Sequence, residues 1–315
     1  MKKGVISLGE ALIDFIPTDE TNQTYLKSPG GAPANVAVGL AQLGVPTTFV
    51  GKVGDDVLGH FLEETLTSYG VDTSSLSYTK EHRTGLTFVT LDKTGDRSFE
   101  FYINSSADRF LDKSDLNKAI FLENKLLHIG SISLINGPVV DATLRAIDLA
   151  KNNDMLISYD PNLRMNLWEN ETIARKTILS VIPHVDILKV SEEELAFLSE
   201  KESLQDGIEW LEQYQLPVVF ITLGAEGSVV VADGGYDVIP AMKVDAVDTT
   251  GAGDAYMSSV LYNINEYKKD LAKITLVEAK EIAEFSSVAG GLAASVKGAM
   301  AALPDLNTVR KSLNV

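Results

Sequence analysis

The 315-residue sequence contains no cysteine. Disulfides, thiolate zinc sites, iron–sulfur clusters and cysteine nucleophiles are therefore excluded together. Histidine is scarce: the four, at positions 60, 82, 128 and 184, form neither an HExxH motif nor an i, i+4 pair for a metal. Positive charge is in deficit, with 27 Lys and Arg against 44 Asp and Glu and a net charge of −17. Phosphate backbones and anionic lipid repel so acidic a chain, so neither nucleic acid nor a membrane is an expected partner. No apolar run is long enough to span a bilayer. Glu10 and Asp14 interrupt the apolar run after Lys2-Lys3 that could otherwise begin a signal peptide. The Asn-x-Ser/Thr triplets at Asn22, Asn104 and Asn170 are then chance matches, and the expected location is the cytoplasm. What is present, 45% hydrophobic and 23% charged residues, suits a globular enzyme with a sizeable core.

Short apolar runs alternate with helical patterns from residue 126 onward. Strands are expected at Leu126–Ile129, Met155–Tyr159, Val185–Val190 and Val218–Leu223, and helices at Val139–Ala150, Ile173–Val181, Glu192–Leu198 and Gly207–Tyr214. Val5–Leu8 and Thr47–Val50 flank a helical pattern over Asn35–Leu43 and fit as further strands. Such alternation argues for βαβ units and a mostly parallel sheet covered by helices on both faces. Two stretches break it: Leu12–Pro17 with Thr24–Lys27, and Thr84–Asp92 with Ser98–Ile103, are strand-like without helices between them. The second pair is joined by a hairpin-like Lys93-Thr94-Gly95-Asp96-Arg97. The expectation is one α/β domain over residues 1–315, with a small β-sheet inserted at about 12–28 and 84–103.

The strongest chemical signal is Asp248-Thr249-Thr250-Gly251-Ala252-Gly253-Asp254, followed by a helical pattern over Ala255–Asn263. Two glycines let the backbone turn tightly with several N–H groups pointing one way, and the helix adds its positive end. Together they make an anion site. A carboxylate at Asp254 could then take a proton from a hydroxyl attacking that anion; the plainer reading makes it a helix cap. Other phosphate motifs fail. Gly44 to Gly51-Lys52-Val53 has the wrong spacing for a P-loop and lacks its Ser/Thr, and no GxGxxG opens a helix. Asp160-Pro161-Asn162-Leu163-Arg164 follows a strand, where loops of open α/β sheets form the binding crevice. Arg164 there can meet phosphate or sugar oxygens.

The DTTGAGD string resembles the C-terminal signature of the PfkB, or ribokinase-type, carbohydrate kinases. Gly30-Gly31-Ala32-Pro33-Ala34-Asn35-Val36-Ala37 is similar to the family's N-terminal signature, and the resemblance runs from Gly9 to Pro304. It implies a ribokinase-like α/β sheet with a small β lid, using ATP and Mg2+. The strings Gly9-Glu10-Ala11-Leu12-Ile13-Asp14-Phe15-Ile16-Pro17 and DPNLR with Trp168 look like the fructokinase branch. Fructose, phosphorylated at C6, is therefore the expected acceptor. The alternatives are 2-keto-3-deoxygluconate, which Arg97 and Tyr102 keep open, another sugar, or a sensing protein that has lost turnover. Matching the family residue by residue makes Asp254 the catalytic base and Gly251, Ala252, Gly253 and Asp254 the anion hole. Asp14, Gly31, Asn35, Phe101 and Arg164 fall on the sugar side, and Lys189, Ser191, Thr222, Gly224, Gly227 and Ser287 on the nucleotide side. Glu194 is expected to reach Mg2+ through water, although Ser191-x-x-Glu194 is also a capping box. Asp248, with the small-residue stretch Ala293–Ala302, matches a potassium site of some relatives. The helix end should hold the Asp254 pKa low, and two lids should pack into a homodimer.

Overall fold

The computed structural model describes residues 2–91 and 97–313. Asp92, the end of the expected strand Thr84–Asp92, lies outside the described residues, as do Lys93–Asp96 of the expected turn Lys93–Arg97 and the Arg97 side chain. Thirteen strands are found among those described: β1 Val5–Leu8, β2 Leu12–Pro17, β3 Tyr25–Gly30, β4 Thr47–Gly54, β5 Leu76–Thr79, β6 Leu86–Leu91 and β7 Arg97–Tyr102 come first. Then follow β8 Leu126–Ile129, β9 Leu156–Tyr159, β10 Ile187–Ser191, β11 Val218–Thr222, β12 Gly227–Ala232 and β13 Gly235–Pro240. Nine form one sheet in the order β13-β12-β11-β10-β9-β8-β1-β4-β5. Its strands are parallel from β5 through β11, and β12 and β13 add an antiparallel edge.

The central strands are mostly apolar because both faces are covered, with Ser7, His128, Ser158 and Lys189 as buried polar exceptions. Val5, Leu126, Ile187 and Val218 pack on one side against Val36 and Leu40 of the helix Ala32–Gln42 and Met257 and Val260 of Ala252–Glu266. Their successors Ile6, Leu127, Leu188 and Val219 pack on the other side, with the helices Pro138–Asn152, Glu171–Val181, Glu192–Ser199 and Leu204–Leu211. The two-residue period of a strand thus assigns successive residues to two separate cores.

The stretches that lacked helices form a second sheet in the order β3-β2-β6-β7. Residues Ile13 to Phe15 of β2 pair with Leu86 to Phe88 of β6 in parallel, which joins the two inserted segments. The helix at Ala32 starts three residues before the predicted Asn35, with Pro33 in its first turn, where a missing N–H costs nothing. The helix predicted from Ala255 starts at Ala252, and that shift changes the meaning of Asp254.

Candidate active site

Gly251 occupies the N-cap position of the helix Ala252–Glu266 with φ 82°, and no side chain caps this end. A left-handed residue there is natural only to glycine; Ala252 N donates to the Thr249 carbonyl at 3.2 Å, and the next N–H groups of the helix are left for an anion. Asp254 lies inside the first turn, and its Oδ2 accepts a hydrogen bond from Asn35 Nδ2 at 2.8 Å. It is therefore not the helix's cap. The carboxyl was expected to be held low by the helix end, but the opposite holds. Burial pushes Asp254 up to about 6, the Asp160 charge adds to this, and the Asn35 hydrogen bond and Lys189 oppose it. Removal from water outweighs the helix end here.

Two clefts meet at this turn, with Thr249 and Gly253 lining both. The first, about 320 Å³, runs between the main sheet and the small one. It gathers Asp14 from β2, Gly31 and Asn35 from the GGAPAN segment, Phe101 from β7, Arg164 from the loop after β9, and Gly251 and Asp254. Gly31 has φ 102°, and a Cβ there would lie 2.4 Å from the Glu10 carbonyl oxygen. Only glycine lets the two segments approach so closely. Burial raises Asp14 to about 6. Arg164 is exposed, its Nη1 turned back to the Leu163 carbonyl at 3.2 Å.

The second cleft, about 520 Å³, is lined by Thr222, Gly224, Gly227, Ala252, Gly253 and Ser287 among others. It is mostly backbone and small side chains. Ser287 Oγ donates to the Pro240 carbonyl at 3.0 Å, bracing the helix Leu276–Ala294 against β13. Lys189 belongs to the first cleft, not this one. Its Nζ donates to Asp160 Oδ2 at 2.9 Å. Burial alone would push this ammonium down, but Asp160 and Glu194 hold it above its usual value.

Three predicted residues line neither cleft. Ser191 and Glu194 form a reciprocal capping box, with the Glu194 carboxylate also accepting from Leu163 N at 2.6 Å. Asp248 accepts from Thr250 N and Gly298 N, both at 3.1 Å, and so ties the phosphate turn to the 298 loop. Among the described residues no group of three His, Asp or Glu is placed to hold a metal ion. A third hollow, at the amino ends of the strands, contains Lys2 and Lys125, whose ammoniums cap helix-end carbonyls.

Glu10 and Asp160 join the predicted residues at this site. Glu10 lines the first cleft, accepts from Ala32 N at 3.3 Å, and is raised to about 8 by burial, with Asp108 and Asp254 adding to it. Burial thus favours its neutral form, in which it can also donate a hydrogen bond. The signal for Asp160 was its place at the carboxyl end of a central strand.

A glycine turn at an uncapped helix N-terminus, shared by a charged cleft and a mostly apolar one, is the geometry of an enzyme that carries a phosphoryl group between two small molecules. Comparison with known proteins makes this specific. The model of the pfkB family carbohydrate kinases matches residues 2–306. A fructokinase-1 of Oryza sativa subsp. japonica is 42% identical over 95% of this chain and 94% of its own length. A probable fructokinase-2 of Arabidopsis thaliana is 40% identical over 95% and 92%. Among solved structures, the fructokinase of Vibrio cholerae O395 with fructose, ADP and calcium bound superposes with a TM-score of 0.91. It shares 37% identity over 99% of both chains. The chain belongs to the pfkB family of carbohydrate kinases. No helix among its described residues is long and apolar enough to cross a membrane.

Proposed function

We propose that the protein is an ATP-dependent fructokinase, transferring the γ-phosphoryl group of ATP to the C6 hydroxyl of fructose to give fructose 6-phosphate. The observation that carries this reading is Asp254: a buried carboxylate, held by Asn35, at the meeting point of the two clefts. The relatives at about 40% identity are fructokinases. The charge of the first cleft favours a neutral acceptor over 2-keto-3-deoxygluconate, which carries a carboxylate. Its walls carry Asp14 and Asp254 against Arg164, since burial favours the neutral form of Glu10 and Lys189 is already paired with Asp160. The intact base and anion turn speak against a sensing protein without turnover.

The sugar enters the first cleft under the small sheet, with Asp14 and Asn35 on its hydroxyls and C6–OH toward Asp254. ATP enters the second, its γ-phosphate over the N–H groups of residues 251–254. The hydroxyl oxygen attacks phosphorus, the bond to the bridging oxygen of ADP breaks, and Asp254 takes the hydroxyl proton. Positioning and neutralisation of the phosphoryl oxygens supply most of the rate, and closure of the small sheet excludes water. Mg2+ would accompany the nucleotide phosphates, a cation that commonly uses few protein ligands. Glu194 is the carboxylate proposed to reach it through water. A potassium ion beside Asp248 would brace the same turn. Leu26 and Tyr102, exposed on the small sheet, support a homodimer formed through it, and light scattering at twice 34.0 kDa checks this. A cytoplasmic location belongs to the same proposal. The central test is turnover on fructose, ribose, tagatose and 2-keto-3-deoxygluconate with Mg-ATP. Fructose is expected to give the highest kcat/KM; preference for the keto acid would overturn the assignment.

A further inference from the structure

Asp160 sits at the carboxyl end of β9, one residue beyond Tyr159, which pairs with Leu188 of β10. That register sets Asp160 beside Lys189. Both are more than nine-tenths buried, and the Lys189 Nζ to Asp160 Oδ2 distance is 2.9 Å. The other oxygen, Oδ1, is buried without a hydrogen-bond partner. A buried ion pair with an unsatisfied oxygen is a poor stabilising device, since desolvation offsets most of its attraction and an apolar pair of the same size would serve. Its placement points elsewhere. Lys189 Nζ lies 3.3 Å from where a Cβ on Gly253 would stand, and Gly253 lines both clefts. The ammonium is thus held against the phosphate turn where one cleft opens into the other.

We propose that Asp160 is a positioning residue for phosphoryl transfer: it fixes the Lys189 ammonium at the passage between the clefts, where the phosphoryl group crosses to the acceptor. Lysine is a flexible point charge with a four-carbon stem, and an unanchored ammonium would swing toward either cleft or toward the Asp254 carboxylate. Anchored by Asp160, it faces the crossing oxygens without reorganising as charge moves, which is the condition under which a cation aids transfer. Asp160 itself touches neither substrate.

This inference rests on the kinase reading, and the experiment separates the two. Turnover of fructose with Mg-ATP is measured for wild type, Asp160→Asn, Lys189→Met and the double variant, with KM for each substrate and thermal melting. No turnover by wild type would undo the kinase reading itself. Given turnover, Asp160→Asn is expected to lower kcat by about 10- to 100-fold, with both KM values changed by less than about threefold. In the Lys189→Met background the same change is expected to lower kcat no further, because Asp160 acts only through that lysine. If Asp160→Asn alone does not fold, the comparison of Lys189→Met with the double variant decides, since the double carries no uncompensated member of the pair. Unchanged kcat in Asp160→Asn, or a full additional loss in the double variant, overturns the proposal. So does a loss confined to KM or melting temperature.

Discussion

The two clefts meet at one turn but are built from different materials. The first is assembled from polar and charged side chains on distant segments: Asp14 from β2, Asn35 from the first helix, Arg164 from the loop after β9, Lys189 from β10, Asp254 from a late helix. The second is lined by backbone and by small residues such as Gly224, Gly227, Ala252 and Ser287. On the proposed reading, acceptor choice and proton transfer would depend on the identity of single side chains, and nucleotide binding on shape and on backbone N–H groups that many sequences can supply. Substitutions should therefore act sharply in the first cleft and mildly in the second, with the shared turn the exception.

The largest effect is expected at that turn. Gly251→Val places a branched side chain at φ 82°, with a Cβ 3.1 Å from the Ala299 Cα. Turnover should fall by at least about 100-fold, the scale of losing an oxyanion-type donor; stopped-flow ATP consumption reads it. Next comes Asn35→Ala. It removes the hydrogen bond that holds the Asp254 carboxyl down, so the acid limb of the kcat profile, expected near pH 6 in wild type, should move upward. The sign follows because transfer needs the carboxylate, so activity rises with pH through its pKa. A downward shift would contradict the role given to Asn35. Asp14→Asn is expected to raise the KM for fructose by about tenfold, the value of one hydrogen bond to a charged group, with less effect on kcat. The smallest change is Ser287→Ala in the apolar cleft, expected to alter the KM for ATP by less than about threefold. A larger change there would break the contrast between the clefts.

The same contrast explains what could be read in the sequence. Strands β1 and β8 to β11 were legible because burial on both faces makes them mostly apolar. The edges β5, with Ser77 and Tyr78, and β13, which ends in Pro240, carry no such run, because one flank of each is unpaired. The anion turn was legible because its two glycines record a backbone requirement, and the GGAPAN segment because it is similar to the family's N-terminal signature. The state of Asp254 was not. Its pKa depends on how completely β9, β10 and the Ala32–Gln42 helix exclude water, and no spacing within DTTGAGD encodes that. Glu10 and Asp160 were overlooked for the same reason: a carboxylate reads as polar until its burial is known. Lys189 was expected on the nucleotide side; it lines the first cleft, paired with Asp160 and close to Gly253, which lines both.

Replacing Asp254 by Asn keeps the shape of the side chain and removes its ability to accept a proton. The turnover number of Asp254→Asn at saturating fructose and Mg-ATP therefore tests the account most directly. A positioned base contributes about 10²–10⁴-fold, so kcat should fall by at least about 100-fold, with ATP affinity unchanged or slightly tighter as a negative charge leaves the γ-phosphate site. A folded Asp254→Asn protein that turns over fructose at near wild-type rate would contradict the assignment of this carboxylate as the base.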